Sequence, residues 1–212
     1  MKITRKLRGI LLLAFSLLYL LCTYILNASR LFLIAFVLFV VLMEIVNKFY
    51  SDSVLYLDNL TDLYNRKKMH QDLKHSIKCE KLFMVVFIDL KNFKSINDNY
   101  GHQMGNYVLK EFARALKSLP KNFKAYRNGG DEFVVIVENY NDINEVIRNL
   151  TTINVKYGDE IGLKFNFGIS IYPEHATNAD MLLACSDEAM YCAKTSKRQY
   201  CIYCPVEKNG EK

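Results

Sequence analysis

The chain has no surplus of positive charge where a nucleic-acid partner would need one. Of its 28 Lys and Arg, six fall in the first 50 residues (Lys2, Arg5, Lys6, Arg8, Arg30 and Lys48) beside a single acid, Glu44. The other 22 face 21 acids, so no basic face is implied and no nucleic-acid partner is expected. A zinc-ligand grouping is missing too. Cys201-Ile202-Tyr203-Cys204 has ligand spacing, but no second CxxC and no paired histidines complete a tetrahedral site. The four histidines, His70, His75, His102 and His175, are scattered. In a cytoplasmic setting Cys22, Cys79, Cys185, Cys192, Cys201 and Cys204 stay thiols. Cys185 and Cys192, seven apart on a predicted helix, are expected to pack against a sheet. There is no internal repeat, which argues against a solenoid.

What is present begins with two apolar runs. Ile10 to Leu26, extended by Leu7, approaches the 20 or so residues that span a bilayer. Asn27-Ala28-Ser29-Arg30 interrupts it, and Leu31 to Val46 follows, carrying Glu44 near its end with Lys48, Phe49 and Tyr50 as interfacial anchors. The expectation is a transmembrane hairpin over residues 1–50, with spans at about 7–26 and 31–50. Lys2, Arg5, Lys6 and Arg8 should hold the N-terminus inside, and the second span then returns the remainder to the cytoplasm. That placement, multi-pass in the cell membrane, also supplies nucleoside triphosphate to the C-terminal part. A cleaved leader over the first 28 residues is the other reading, though Leu26-Asn27-Ala28 makes a poor small-residue site. The outer loop of about four residues is too small for a sensor domain, so a signalling partner within the membrane is one route for input.

Residues 51–60 read as a helical connector, with Val54, Leu57 and Leu60 at helical spacing. Patterning then predicts helix 66–79, a buried strand at 82–88, helix 106–119, strands 124–127 and 132–138, helix 143–150, strand 164–172, helix 180–197 and strand 200–203. The order β-α-β-β-α-β followed by α-β is a split βαβ arrangement. It places the domain, residues 61–208, in the α+β class as a ferredoxin-like or palm-like antiparallel sheet with flanking helices.

Chemistry concentrates in Arg127-Asn128-Gly129-Gly130-Asp131-Glu132-Phe133. Two glycines permit a tight turn, and an apolar strand follows at once, so the carboxylates sit on a rigid hairpin tip. Asp89 ends the buried strand, where a carboxylate needs a cation or a metal, or else caps the next segment. In the split βαβ layout Asp89 and Asp131 face one another, a pattern suited to metal-assisted phosphoryl transfer.

The signature reads GGDEF as it stands, and it resembles that of diguanylate cyclases. Asp58 to Arg66 resembles the family's DxLTxLxNR opening motif, and Asp89 to Asp98 its DxxxFKxIND segment, continued by Gly101-His102-Gln103-Met104-Gly105. Ser186 to Lys194 resembles its ADxAMYxAK helix, with Arg198 four residues on. The resemblance covers roughly residues 58–204. It implies a dimeric, membrane-anchored enzyme that joins two GTP into cyclic di-GMP and releases two pyrophosphates. It implies Mg²⁺ or Mn²⁺ held by Asp89, Asp131 and the Leu90 carbonyl, with Glu132 as a further ligand or as base. Phosphates would be taken by amides near Phe93 and Lys94 and by the Lys94, Lys194 and Arg198 side chains, the last two expected on one helix face. Gly129 would admit the ribose, and Asn97 and Asn106 would meet the guanine.

Two departures stand out. Asn106 replaces the family's usual Asp, and an amide offers guanine one acceptor where a carboxylate offers two. Weaker GTP binding or relaxed purine choice follows. The product-inhibition motif RxxD is absent, since Pro120-Lys121-Asn122-Phe123 occupies its place. Alternatives to the cyclase are a silent, nucleotide-binding dimerising module and a GTP-hydrolysing relative.

Overall fold

The computed structural model describes residues 2–26, 30–157 and 161–205. The chain divides into two units, Met1–Val54 and Leu55–Lys212. In the first, α1 (Lys2–Leu26) meets α2 (Arg30–Tyr56). Ring contacts join Phe15 to Phe39 at 5.2 Å and Tyr19 to Phe36 at 4.5 Å. Partners descend α2 as they ascend α1, so the helices run antiparallel. Leu13, Leu17 and Leu38 stay 64%, 64% and 63% exposed.

Among the described residues, however, no helix is long and apolar enough to cross a membrane. The expected spans at 7–26 and 31–50, and the multi-pass placement built on them, therefore lack support from the helices. The polar break at 27–29 lies outside the described residues, as do the side chains of Lys2, Arg5, Lys6, Arg8, Phe49 and Tyr50.

The second unit orders β1 (Tyr64–Asn65), α3 (Arg66–Lys78), β2 (Phe83–Leu90), α4 (Phe93–Lys117), β3 (Phe123–Gly129), β4 (Glu132–Glu138), α5 (Ile143–Thr151), β5 (Lys156–Tyr157), β6 (Ile161–Gly162), β7 (Phe165–Tyr172), α6 (Ala179–Thr195) and β8 (Tyr200–Ile202). Six strands form one sheet in the order β1-β3-β4-β2-β7-β8. β2 lies inside it, antiparallel to both β4 and β7. Burial on both faces is why Phe83 to Ile88 is continuously apolar instead of alternating. Met84, Val86 and Ile88 share one core cluster with Val108, Phe112 and Leu116 of α4. Phe83, Val85 and Phe87 share the other with Met69 and Leu73 of α3 and Leu182 of α6. Side-chain caps start three helices: Asn65 accepts from Lys68 N–H, Asp142 from Asn144 N–H and Asn178 from Met181 N–H.

The α+β class and the central antiparallel strands stand. The sheet is mixed, because β1 and β8 pair in parallel at its edges. Five elements differ from expectation. The helix after β2 begins at Phe93, well before Asn106, and breaks at Gly101, where φ is 80°. Its first segment fully buries only Ile96, too little apolar surface to register as a periodic stripe. β1, β5 and β6 have two residues each, below any readable period. α6 stops at Thr195. Cys185 is buried as expected, but Cys192 is exposed.

Candidate active site

The antiparallel register sets Asp89 of β2 opposite Glu132 of β4. The hairpin tip folds back so that Leu90 N–H donates to the Asp131 carbonyl at 3.4 Å. Three acids from two elements thus gather at one end of the sheet. Burial, and beyond it the Asp89 charge, hold the Asp131 carboxyl above the usual carboxylate range, against a backbone hydrogen bond, Lys194 and Arg127. Asp187 of α6 is raised in the same way, by burial and then by Asp89. Lys194 counters this crowding: its Nζ donates to Asp89 Oδ2 at 2.8 Å, which raises the lysine pKa.

The tip is held from behind. Gly130 adopts φ 50°, a left-handed conformation suited to glycine. Arg127 donates twice to the Gly130 carbonyl, from Nε at 3.2 Å and Nη2 at 2.7 Å, and from Nη1 to Asp58 Oδ1 at 3.0 Å. Asp58 Oδ1 also accepts from Thr61 N–H at 2.9 Å and Thr61 Oγ1 at 2.6 Å. Burial opposes the Asp58 charge, but the Thr61 and Arg127 hydrogen bonds outweigh it and leave its pKa lowered. Asn128 Nδ2 donates to Glu132 Oε2 at 2.8 Å and so orients that side chain. A Cβ at Gly129 would meet nothing within 4 Å, so space lies open before it.

The kink in α4 builds a corner beside this end of the sheet, reached from Leu90 through the two residues Lys91 and Asn92. A Cβ at Gly105 would collide with Asn97 Oδ1 and press on the Phe93 ring. Phe93 and Asn97 therefore meet Gly105, and the exposed Asn106 follows directly. Lys94 is exposed on the first segment.

Arg198 does not share a helix face with Lys194. Arg198 N–H donates to the Ala193 carbonyl at 2.9 Å and Lys197 N–H to the Lys194 carbonyl at 3.4 Å, a Schellman closure with Lys197 at φ 56°. Sequence spacing had placed both cations on a continuous helix. The chain instead turns back at Lys197, and Arg198 leads into β8.

Three contributors escaped the sequence reading. Asp58 and Arg127 pair across 69 residues, a contact no local pattern announces. Asn166, the register partner of Asp89 on β7, is fully buried; its Nδ2 donates to the Arg198 carbonyl at 2.6 Å and its Oδ1 has no protein partner. Its only signal is an amide inside the apolar run 165–169. Asp187 joins the field of Asp89 from α6.

Among the described residues, no group of three His, Cys, Asp or Glu side chains could hold a metal. The Asp89 and Asp131 carboxylates, close enough that the Asp89 charge raises the Asp131 pKa, still suit a hard divalent cation, which fills its remaining positions with water and substrate phosphate. The donor set fits such an ion.

Residues 55–200 match the sequence profile of the family described as "Diguanylate cyclase, GGDEF domain". Over 158 residues the chain is 32% identical to the cyclic di-GMP phosphodiesterase PdeR of Escherichia coli, covering 70% of this chain and 24% of that one. Over 150 residues it is 34% identical to the diguanylate cyclase DgcS of Shewanella oneidensis, covering 66% and 50%. Two staphylococcal relatives are named as membrane proteins. The chain spans about a fifth to a half of the length of the curated relatives it matches. The crystal structure of a sensory box/GGDEF family protein from Caulobacter crescentus superposes with a TM-score of 0.60 at 33% identity, covering 66% of this chain and 99% of that one. With its mixed palm-like sheet, its acids at the hairpin tip and this extent of similarity, the chain belongs to the GGDEF-domain family.

Proposed function

We propose that the protein is a diguanylate cyclase that condenses two GTP into cyclic di-GMP with release of two pyrophosphates. The observation carrying this reading is the meeting of Asp89 and Asp131 at one end of the sheet, with Lys194 donating to Asp89. Asp89, Asp131 and the Leu90 carbonyl would hold a divalent cation, Mg²⁺ or Mn²⁺, with Glu132 as a further ligand or as the base for the 3′-hydroxyl. When bound, such an ion offsets the negative charge of the triphosphate. The Phe93 and Lys94 amides, with the Lys94, Lys194 and Arg198 side chains, hold the phosphates. Asn97 and Asn106 meet the guanine at the α4 corner, and the open space before Gly129 admits the ribose. The 3′-hydroxyl of one GTP attacks the α-phosphorus of the other and displaces pyrophosphate, and the reciprocal step closes the ring. One domain presents one GTP, so two copies must meet face to face, and the enzyme works as a homodimer.

The helical pair over 1–50 would attach the enzyme to the cytoplasmic face of the cell membrane, with 51–60 as connector and 61–208 as the cyclase domain. Exposed Leu13, Leu17 and Leu38, and the relatives named as membrane proteins, support that attachment. The second reading, a silent nucleotide-binding module, is favoured by Asn106 at the guanine corner.

Chromatographic identification of products from purified protein with GTP and Mg²⁺ separates the readings. Cyclic di-GMP is the expected result. GDP would indicate a hydrolase, and bound but unchanged GTP would indicate the silent module. Adding ATP tests purine choice, since strict cyclic di-GMP output would remove a relaxed pocket at Asn106.

A further inference from the structure

Two thiols that the proposed chemistry does not use meet beside the phosphate-binding segment. Cys192 lies in the last turns of α6 and Cys201 in β8, with their Sγ atoms 3.7 Å apart. The reason is packing. Cys201 is the register partner of Gly168 on the neighbouring strand, so both point to the α6 face. Gly168 has no side chain, and the α6 backbone sits directly on it near Ser186 and Met190. A larger residue there would lift α6 and part the sulfurs. A groove of about 630 Å³ is lined by Cys192 and Cys201 together with Arg198 and Cys204. Cys192 is exposed, whereas burial and then its neighbour push the Cys201 thiol up.

We propose that Cys192 and Cys201 form a redox site, oxidised reversibly to a disulfide by peroxides, that restrains the segment carrying Lys194 and Arg198. The exposed Cys192 thiolate attacks one peroxide oxygen and breaks the O–O bond. The leaving oxygen takes a proton to become water, and Cys192 becomes a sulfenic acid. The Cys201 sulfur then attacks the Cys192 sulfur, its proton leaves with the sulfenic hydroxyl as a second water, and the disulfide forms. Two thiols and one hydrogen peroxide give one disulfide and two waters. A small-molecule dithiol reverses the reaction by exchange. Bonding draws the sulfurs from 3.7 Å to about 2.05 Å. The sheet order β2-β7-β8 makes that displacement run away from β2. Lys194 follows Cys192 by two residues and so points to the opposite side of the helix, toward Asp89. Oxidation therefore withdraws Lys194 from Asp89. This consequence for catalysis rests on the proposed cyclase function; the dithiol itself does not.

The test treats the full chain with stoichiometric hydrogen peroxide, alkylates it and maps peptides by mass without reduction. The expected result is a Cys192–Cys201 link lighter by two hydrogens, restored by dithiothreitol, retained in Cys204→Ser and lost in Cys192→Ser. Both thiols still open to alkylation, or a link through Cys204 or Cys185, would overturn the site. Amide exchange over 193–200 should slow at least threefold on oxidation in the wild type and remain unchanged in Cys192→Ser. Equal exchange in both redox states would overturn the restraint. Cyclic di-GMP formation should fall at least fivefold on oxidation, again only with Cys192 present. A reduced protein that makes no cyclic di-GMP would count against the functional reading alone, because mapping and exchange judge the redox site separately.

Discussion

Replacing Lys194 by alanine should tighten binding of a divalent cation while weakening binding of nucleotide. In the structure the lysine neutralises Asp89 through a 2.8 Å contact, with the Asp89 side chain 14% exposed and the Lys194 side chain 52% exposed. A cation entering between Asp89 and Asp131 must displace that ammonium group and must also tolerate its charge. Pairs with one solvated partner contribute about 0.5–1 kcal/mol, so their removal should tighten the metal about two- to fivefold. Loss of a charge-assisted contact to phosphate should weaken GTP by about 1.5–3 kcal/mol, roughly ten- to a hundredfold. Titration calorimetry with Mn²⁺ alone, then with a non-hydrolysable GTP analogue, reads both changes on one protein. A variant that binds Mn²⁺ more weakly than wild type would refute the reasoning, because Lys194 would then be organising the metal site and not occupying it.

Gly168→Ala should lower the melting temperature by roughly 10 °C, about 3 kcal/mol, because its Cβ would collide with α6 backbone at Ser186 and Met190; differential scanning calorimetry reads it. Lys197→Gly should raise stability by about 1 kcal/mol in denaturant unfolding, since Lys197 holds φ 56° at the helix closure, where glycine carries no Cβ penalty. Asp58 and Glu138 have lowered folded pKa values, so their stabilisation is present above about pH 4 and is lost as pH falls through the folded values. Asp131 is raised, so its charge opposes folding above its folded pKa and acid relieves it. In thermal melts at pH 7, Asp58→Asn should therefore lower stability and Asp131→Asn should raise it.

The parts legible in sequence were those carried by local pattern. The unbroken apolar run of β2 betrays burial on both faces, and the glycine pair before Asp131 betrays the hairpin tip. Together they brought Asp89 and Asp131 to one end of the sheet. What escaped depends on tertiary partners. Nothing around Arg127 says that its guanidinium will bridge Gly130 and Asp58, and nothing around Asn166 says that it will flank Asp89. The spacing of Lys194 and Arg198 fits a helix, yet the Schellman closure at Lys197 takes Arg198 off it, and a lysine at that position hides the glycine signal such closures usually carry. The first α4 segment buries too little surface to show a period. One of the sheet's two parallel edges is β1, a strand of two residues, too short to show a period.

The claim at the centre is that Asp89 and Asp131 act as one unit on a single divalent cation beneath the nucleotide. Metal-dependent binding of a non-hydrolysable GTP analogue should be measured for wild type, Asp89→Asn, Asp131→Asn and the double variant. Each single variant should lose the metal-dependent part of the affinity, and the double variant should lose no more than either. Full metal dependence surviving in one single variant, or losses that add, would contradict the shared site.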